Sequence, residues 1–394
     1  MTRAEDPQGQ GLAETAAQCV LCGMCSRVCP TYSLYKEEGE SPRGRVVMMQ
    51  ALLAGEAVGE RWRAHLDHCL GCRACEAVCP SGVAYGALLD GVRARFAPSA
   101  PTWVDRFAAG VRWWRRLGPL LRLGQRLHGL PALPGVGKPP LLPPQGRWAR
   151  RYPAQGPFRG EVTLFLGCVA SLWDRDTLVA TVRLLRLAGY AVRVPPSQGC
   201  CGALAWHEGR DGEGRRLAER LLRALAGEES VVTAATGCSA HLREYGAVLG
   251  EAGEVFADRV REAGSLIDIE SLPVRWRDAP LRVALHVPCS QAFVWRQPDL
   301  YRRLLAGLPG VEVVSWDAGL SCCGAGGARL LHEPEQAERL RERWVAALRE
   351  LQVDVAVTSN VGCRLHLGPG LETMDIPLLH PLALIAQRIE EVES

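Results

Sequence analysis

Lysine is almost missing from this 394-residue chain: Lys36 and Lys138 are the only two, so nearly all positive charge is arginine. A GC-rich genome gives that bias, and no function is read from it. Long apolar runs are missing too. The longest, such as Val162–Leu166, fall far short of the roughly 20 residues a membrane-spanning helix needs. Met1–Gly11 is polar and acidic with no apolar stretch, so no secretory signal is expected. There is no complete Gly-x-Gly-x-x-Gly and no Walker sequence, since Gly137-Lys138 runs into Pro139. No flavin, nicotinamide or nucleotide site is therefore expected in this chain, and no catalytic residue is assigned. The apolar fraction of 47% and charged fraction of 23% are those of an ordinary globular protein with room for two or three cores.

Against these absences stand sixteen cysteines. They fall in metal-binding spacings and adjacent pairs, which points to a reducing compartment and not to disulfides. Two runs are nearly identical: Cys19-x2-Cys22-x2-Cys25-x3-Cys29-Pro30 and Cys69-x2-Cys72-x2-Cys75-x3-Cys79-Pro80. Three thiolates on one tight loop suit three irons of a cubane. The fourth, before proline, lies too far round the chain to close the same cluster easily, and in two-cluster ferredoxins it ligates the other one. On that reading Cys19, Cys22, Cys25 and Cys79 hold one [4Fe–4S] cluster, and Cys69, Cys72, Cys75 and Cys29 hold the second. A pair of zinc sites leaves the third close cysteine and the Cys-Pro ending unexplained. Such a chain is expected to carry electrons.

Between the two runs, Val46–Met49 and Ala51–Leu53 read as helix, and Trp62, Leu66 and Cys69 fall at helical spacing. The expected fold class is α + α/β. An N-terminal α-helical ferredoxin module (1–95) precedes a basic Trp/Pro-rich helical linker (96–158) and two repeated α/β cysteine-rich domains (159–272 and 278–394). Within the linker, Trp103–Leu130 reads as one or two amphipathic helices and Pro131–Pro157 as an extended stretch. Later, Val162–Leu166, Tyr190–Val194, Leu281–Val287 and Val353–Thr358 read as strands. Asp174–Ala188, Leu217–Leu225 and Glu335–Leu351 read as helices.

The repeat rests on three marks in the same order. Cys168 and Cys289 are 121 residues apart, Cys200-Cys201-Gly202 and Cys322-Cys323-Gly324 are 122 apart, and Gly237-Cys238 and Gly362-Cys363 are 125 apart. Each repeat thus offers four thiols at strand ends: Cys168, Cys200, Cys201 and Cys238, then Cys289, Cys322, Cys323 and Cys363. Strand ends are where α/β domains gather ligands. Four thiolates suit a further iron–sulfur cluster, zinc, or a dithiol/disulfide couple, while packing is the plainer alternative. His241 and His366, three residues after the last cysteine of each set, read as capping or hydrogen-bonding residues more readily than as ligands. His207 and His380 likewise read as structural.

From Pro101 to Arg151 nine Arg and one Lys face the single acid Asp105, among Trp103, Trp113, Trp114 and Trp148. That composition suits peripheral membrane contact, and equally a helix packed on its own protein or a partner. No nucleic-acid module accompanies the charge.

Cys19–Tyr32 followed by Ser41-Pro-Arg-Gly-Arg45 resembles the iron–sulfur subunit of bacterial glycolate oxidase. So do His65–Val83 with Tyr85-Gly86, Gln198–Ala203, and Ser359–His366. The resemblance implies a subunit of a membrane-associated oxidoreductase complex. Flavin-bearing partner subunits would oxidise a 2-hydroxy acid, usually glycolate, and this chain would pass electrons towards quinone. Equivalent subunits of D-lactate or anaerobic glycerol-3-phosphate dehydrogenases, and heterodisulfide-reductase-like proteins, share the architecture. In the fullest form of the repeat motif the last position is cysteine, where this chain has His241 and His366. The implied location is cytoplasmic, on the cytoplasmic face of the inner membrane.

Overall fold

The computed structural model describes residues 7–96, 100, 123 and 146–390. The helices expected within Trp103–Leu130 and most of the stretch Pro131–Pro157 lie outside them. Trp148 is described: it packs against the core of the C-terminal half, with the Arg175 guanidinium 4.3 Å from its ring centroid.

The N-terminal region is helical. Pro7–Ala17, Pro42–Ala54 and Tyr85–Phe96 pack on one another, and short helices at Pro30–Tyr35, Trp62–Asp67 and Ala74–Ala77 follow or precede the cysteines. Helix Pro42–Ala54 explains part of the Ser41-Pro-Arg-Gly-Arg45 string. The Ser41 hydroxyl accepts the Gly44 N–H at 2.9 Å, and Pro42 fills the first helical position, where no backbone donor is missed. Val46, Met49, Leu66, Leu88 and Val92 are buried beneath, together with Cys69 and Cys75.

From residue 151 the chain is α/β, as expected from its apolar runs. Strands β1 (Arg151–Tyr152), β2 (Gly160–Leu164), β3 (Tyr190–Arg193), β4 (Ser230–Thr233) and β5 (Val260–Glu262) form one sheet, in the order β1-β3-β2-β4-β5. Only β1 runs antiparallel to its neighbour. Strands β6 (Leu281–His286), β7 (Val311–Ser315), β8 (Val355–Thr358) and β9 (Leu378–Leu379) form a second sheet, all parallel, in the order β7-β6-β8-β9. Leaving β1 aside, the two orders are the same. So is the register: Val162 faces Ser230 in one sheet and Val283 faces Val355 in the other. The expected helices are at Arg175–Leu187, Asp211–Ala224 and Pro334–Arg349.

The two sheets share a core that runs from Val162 and Leu184 to Leu285, Leu382 and Ile385. Helix Pro381–Gln387, from the second half, packs on Arg175–Leu187 of the first. His380 caps that helix, its Nδ1 accepting the Leu382 N–H at 3.0 Å, so its structural reading holds.

The helical module is seated on both repeats by buried arginines. Arg329, 2% exposed, donates to Glu208 Oε1 at 2.9 Å and to the backbone oxygen and carboxylate of Asp67 at 3.0 and 3.1 Å. One side chain thereby joins the helical module, the first repeat and the second. Arg93 donates to the carbonyls of Leu66, Cys69 and His207 at 2.6, 3.0 and 3.0 Å. His207 Nδ1 lies 2.9 Å from Asp90, so this histidine serves the docking.

Candidate metal centres

The first cysteine loop is open to solvent. Cys22 is exposed and Cys19, Cys25 and Cys79 are half-buried. Burial pushes the Cys25 thiol up, and the neighbouring thiols of Cys19 and Cys22 add to the shift. Cys29, from the same run, is elsewhere: it lines a small cavity with Cys69, Cys72 and Cys75. Three thiols of the second loop and the fourth of the first thus surround one space.

That space is built with fixed charge beside it. Arg45 is 1% exposed, with Nη1 3.9 Å from Cys29 Sγ, 3.0 Å from Thr31 Oγ1 and 2.5 Å from the Glu40 carbonyl. Its Nη2 donates to Glu40 Oε2 at 2.5 Å and its Nε to the His65 carbonyl at 2.6 Å. Burial opposes the charge on Arg45, but Cys69, Tyr85, Cys29 and Glu40 outweigh it and hold the guanidinium above its usual pKa. Glu40 Oε1 lies 2.7 Å from Nδ1 of both His65 and His68. Burial works against the carboxylate, and the His68 hydrogen bond and Arg45 charge still hold it below its usual range. The Tyr85 hydroxyl points at Cys69 Sγ from 3.6 Å. Burial drives the Cys72 and Cys75 thiols well up. Buried thiols beside a permanent cation fit an iron–sulfur cluster, whose positive irons allow the thiolates to form.

In each repeat the cysteines follow the carboxyl ends of the first three strands of the repeated order, β2, β3 and β4 or β6, β7 and β8. This is the edge where a doubly wound sheet opens a crevice. Cys168 Sγ lies 3.6 Å from Cys200 Sγ, and Cys323 Sγ lies 3.1 Å from Cys363 Sγ. Gly202 and Gly324 have φ of 89° and 102°, left-handed backbone that glycine adopts freely. Their N–H groups turn back onto Cys200 Sγ at 3.4 Å and Cys322 Sγ at 3.5 Å. The thiol of Cys322 is pulled well down by hydrogen bonds from Cys289 and Cys323. Those from Cys200 and Cys322 push Cys168 and Cys323 well up, with burial adding to it. Clustered thiols at a strand-end crevice, with backbone N–H groups turned onto them, fit a metal centre better than mere packing.

All eight repeat cysteines and Cys72 line one cavity of about 940 Å³, closed on one side by residues of helix Tyr85–Phe96. Leu70 and Cys72 pack in the same cluster as Cys322, Cys323 and Cys363, so the second ferredoxin-type loop abuts the second repeat. His366 Nε2 faces the Ala337 carbonyl at 3.1 Å, in keeping with a hydrogen-bonding role. His241 departs from that reading. It is 1% exposed and lines the cavity, and neither ring nitrogen has a hydrogen-bond partner among the described residues. It meets His207 and Tyr245 edge-on at 5.1 and 5.5 Å.

Two features escaped the reading of motifs. The Arg45–Glu40–His65–His68 network draws on residues up to 28 apart. His286 ends β6 with no motif around it, yet offers a ring nitrogen within 4.8 Å of the Cys323 and Cys363 sulfurs. Burial pushes its imidazole down to about 4, so it is neutral. Aligning the repeats at their 121-residue offset, which sets Phe165 against His286, was the available signal.

Fold and sites together define a multi-centre iron–sulfur electron-transfer protein. A family model described as a 4Fe–4S dicluster domain matches residues 15–83, and one described as a cysteine-rich domain matches 162–243 and 283–368. The chain is 30% identical to the glycolate oxidase iron–sulfur subunit of Escherichia coli (strain K12), over 95% of this chain and 94% of that one. It is 31% identical to the probable glycolate oxidase iron–sulfur subunit of Bacillus subtilis (strain 168), over 90% and 88%. Lactate utilization protein A of Geobacillus kaustophilus (strain HTA426) is 28% identical over 55% of this chain. The chain belongs to the glycolate oxidase iron–sulfur subunit family, and is the iron–sulfur subunit of an oxidoreductase. No helix among the described residues is long and apolar enough to cross a membrane.

Proposed function

We propose that this chain serves a complex that oxidises glycolate at a CH–OH group, with substrate oxidation confined to flavin-bearing partner subunits and quinone as the final acceptor. In this reading the chain comprises a ferredoxin module (1–95), a linker (96–158) and two cysteine-rich domains (159–272 and 278–394). Cys19, Cys22, Cys25 and Cys79 hold one [4Fe–4S] cluster, and Cys69, Cys72, Cys75 and Cys29 hold the other. The repeat cysteines hold further iron–sulfur centres. Bound clusters supply one-electron carriage between a two-electron donor and a two-electron acceptor.

The observation that carries the reading is the shared cavity. Cys72 of the second loop and both repeat sets line it, which supports electron passage between the proposed centres. Arg45 supplies a buried positive charge beside Cys29 and favours the reduced state there. Near-complete coverage of two glycolate oxidase subunits favours glycolate over lactate, whose named relative aligns with only part of this chain. The basic, tryptophan-containing segment 101–151 supports peripheral contact with a cytoplasmic membrane face.

The test is anaerobic reduction of the reconstituted complex by glycolate, D-lactate and glycerol 3-phosphate in turn. Glycolate should bleach the cluster absorbance and raise the EPR signals of reduced clusters fastest. Reduced flavin with clusters left oxidised would refute the role, and faster reduction by another substrate would refute glycolate.

A further inference from the structure

The two repeats share strand order, register and cysteine positions, so a metal-ligating difference between them stands out. Val162 aligns with Val283 in the sheets, and three positions on, Phe165 aligns with His286. His286 is 1% exposed at the end of β6. Its Nδ1 lies 2.8 Å from Thr358 Oγ1, on the neighbouring strand. The Trp344 ring meets it edge-on at 4.5 Å and donates its own Nε1–H to the Cys322 carbonyl at 3.0 Å. The imidazole is therefore fixed by a hydroxyl on one nitrogen and an indole on its face, and a ring nitrogen shares a 4.8 Å neighbourhood with Cys323 Sγ and Cys363 Sγ. A ring held through one nitrogen by a second-shell partner is how proteins orient a metal-ligating histidine.

We propose that His286 is a direct ligand of the iron–sulfur centre of the second repeat, so that this centre has mixed thiolate and imidazole ligation while the first repeat, with Phe165 in that place, does not. In the tautomer whose Nδ1–H is donated to Thr358 Oγ1, Nε2 keeps its lone pair for iron. An imidazole adds no negative charge, so the centre is one charge less negative, and its reduction potential higher, than it would be with a thiolate in that place. The inference rests on the reading that the repeats hold iron–sulfur clusters.

The test uses the full chain, purified anaerobically, with 14N- or 15N-labelled histidine, and pulsed EPR of the reduced protein. A strongly coupled histidine nitrogen that changes with the isotope is expected in the wild type and in Phe165→His, and is lost in His286→Phe. The latter installs the residue that the first repeat already accommodates. His286→Cys should keep the iron content, lose the nitrogen coupling and lower the potential of that one centre. A coupling that survives in His286→Phe would overturn the assignment, as would an unchanged spectrum and potential in His286→Cys. Wild-type iron of eight per chain or fewer, or zinc in the second repeat, would overturn the underlying iron–sulfur reading instead.

Discussion

Arg329 is the side chain on which the docking of the helical module most depends, and its removal has a calculable cost. It is 2% exposed and its partner Glu208 3%, while Asp67 keeps 19% exposure. In Arg329→Met the volume is largely kept, but Glu208 is left as a buried carboxylate without its cation. Breaking a buried pair from one side costs about 3–5 kcal/mol. The Asp67 arm adds little, because that carboxylate regains water on a small movement. Since each 1.4 kcal/mol is tenfold in an equilibrium, local opening around the junction should become roughly 100- to 4,000-fold more frequent.

Hydrogen exchange on the anaerobic holoprotein reads that quantity directly. Faster exchange should appear together in three segments far apart in sequence: 62–69, 203–210 and 325–333. Strands β2 and β6 should change little. Adding Glu208→Gln removes the stranded charge, and the double variant should recover more than half of the lost protection. Exchange within threefold of wild type in all three segments would refute the reasoning. So would a double variant no better protected than Arg329→Met.

Cys29→Ser should abolish the EPR signal of the same cubane as Cys72→Ser, and Cys79→Ser that of the same cubane as Cys22→Ser; pairing by loop instead would refute the crossed ligation. Arg45→Met removes a buried cation near Cys29 and Cys69 and should lower the potential of that cubane in a redox titration, with an unmoved potential counting against it. Burial raises the Glu262 carboxyl from 4.5 to about 7, against the hydrogen bonds from Ser239 and Tyr301. A raised acid is bound more tightly by its proton in the folded state. Its contribution to stability is full below 4.5 and lost as pH rises through about 7, about 3 kcal/mol in all at 1.36 kcal/mol per pH unit. Glu262→Gln should flatten that slope in denaturation curves from pH 5 to 8, and equal slopes would refute it. Deleting 101–130 should release the protein from a membrane pellet if that segment makes the contact, and unchanged partitioning would place the contact elsewhere.

The sheets were legible where strands are long enough to bury an apolar run. Val162–Leu166 and Leu281–Val287 stand out because both faces of an inner parallel strand are covered. Val260–Glu262 and Leu378–Leu379 are three and two residues long and carry no periodic signal. The cysteine sets were legible because their spacing is a covalent fact of the chain. The seating of the module was not. Arg329 and Asp67 are 262 residues apart, and a buried arginine looks like any surface arginine until its partners are known. His286 escaped for a related reason: its value comes from Thr358, 72 residues on, and from the cysteines of two later loops.

Duplication alone would make the two cysteine-rich sites equal in their access to electrons, and the docking of the helical module breaks that equality. The second ferredoxin-type loop meets the second repeat through Leu70 and Cys72, which pack with Cys322 and Cys323. The first repeat is met by helix Tyr85–Phe96, through Asp90 on His207 and Arg93 on the His207 carbonyl, and by Arg73 of the second loop, which pairs with Glu244. These are polar docking contacts and bring no ligand of either proposed cubane. The packing of Cys72 with Cys322 and Cys323 gives an electron leaving the cubane proposed on Cys72 a direct packed route into the second repeat. That is also the repeat carrying His286, whose proposed neutral ligation would keep its centre easier to reduce than a thiolate in that place would. Position and chemistry then favour the same first acceptor. The first repeat, reached across the common cavity, stands next in line or on the branch that faces a partner. Loss of His286 should accordingly slow electron flow beyond the second cubane while leaving reduction of both cubanes intact.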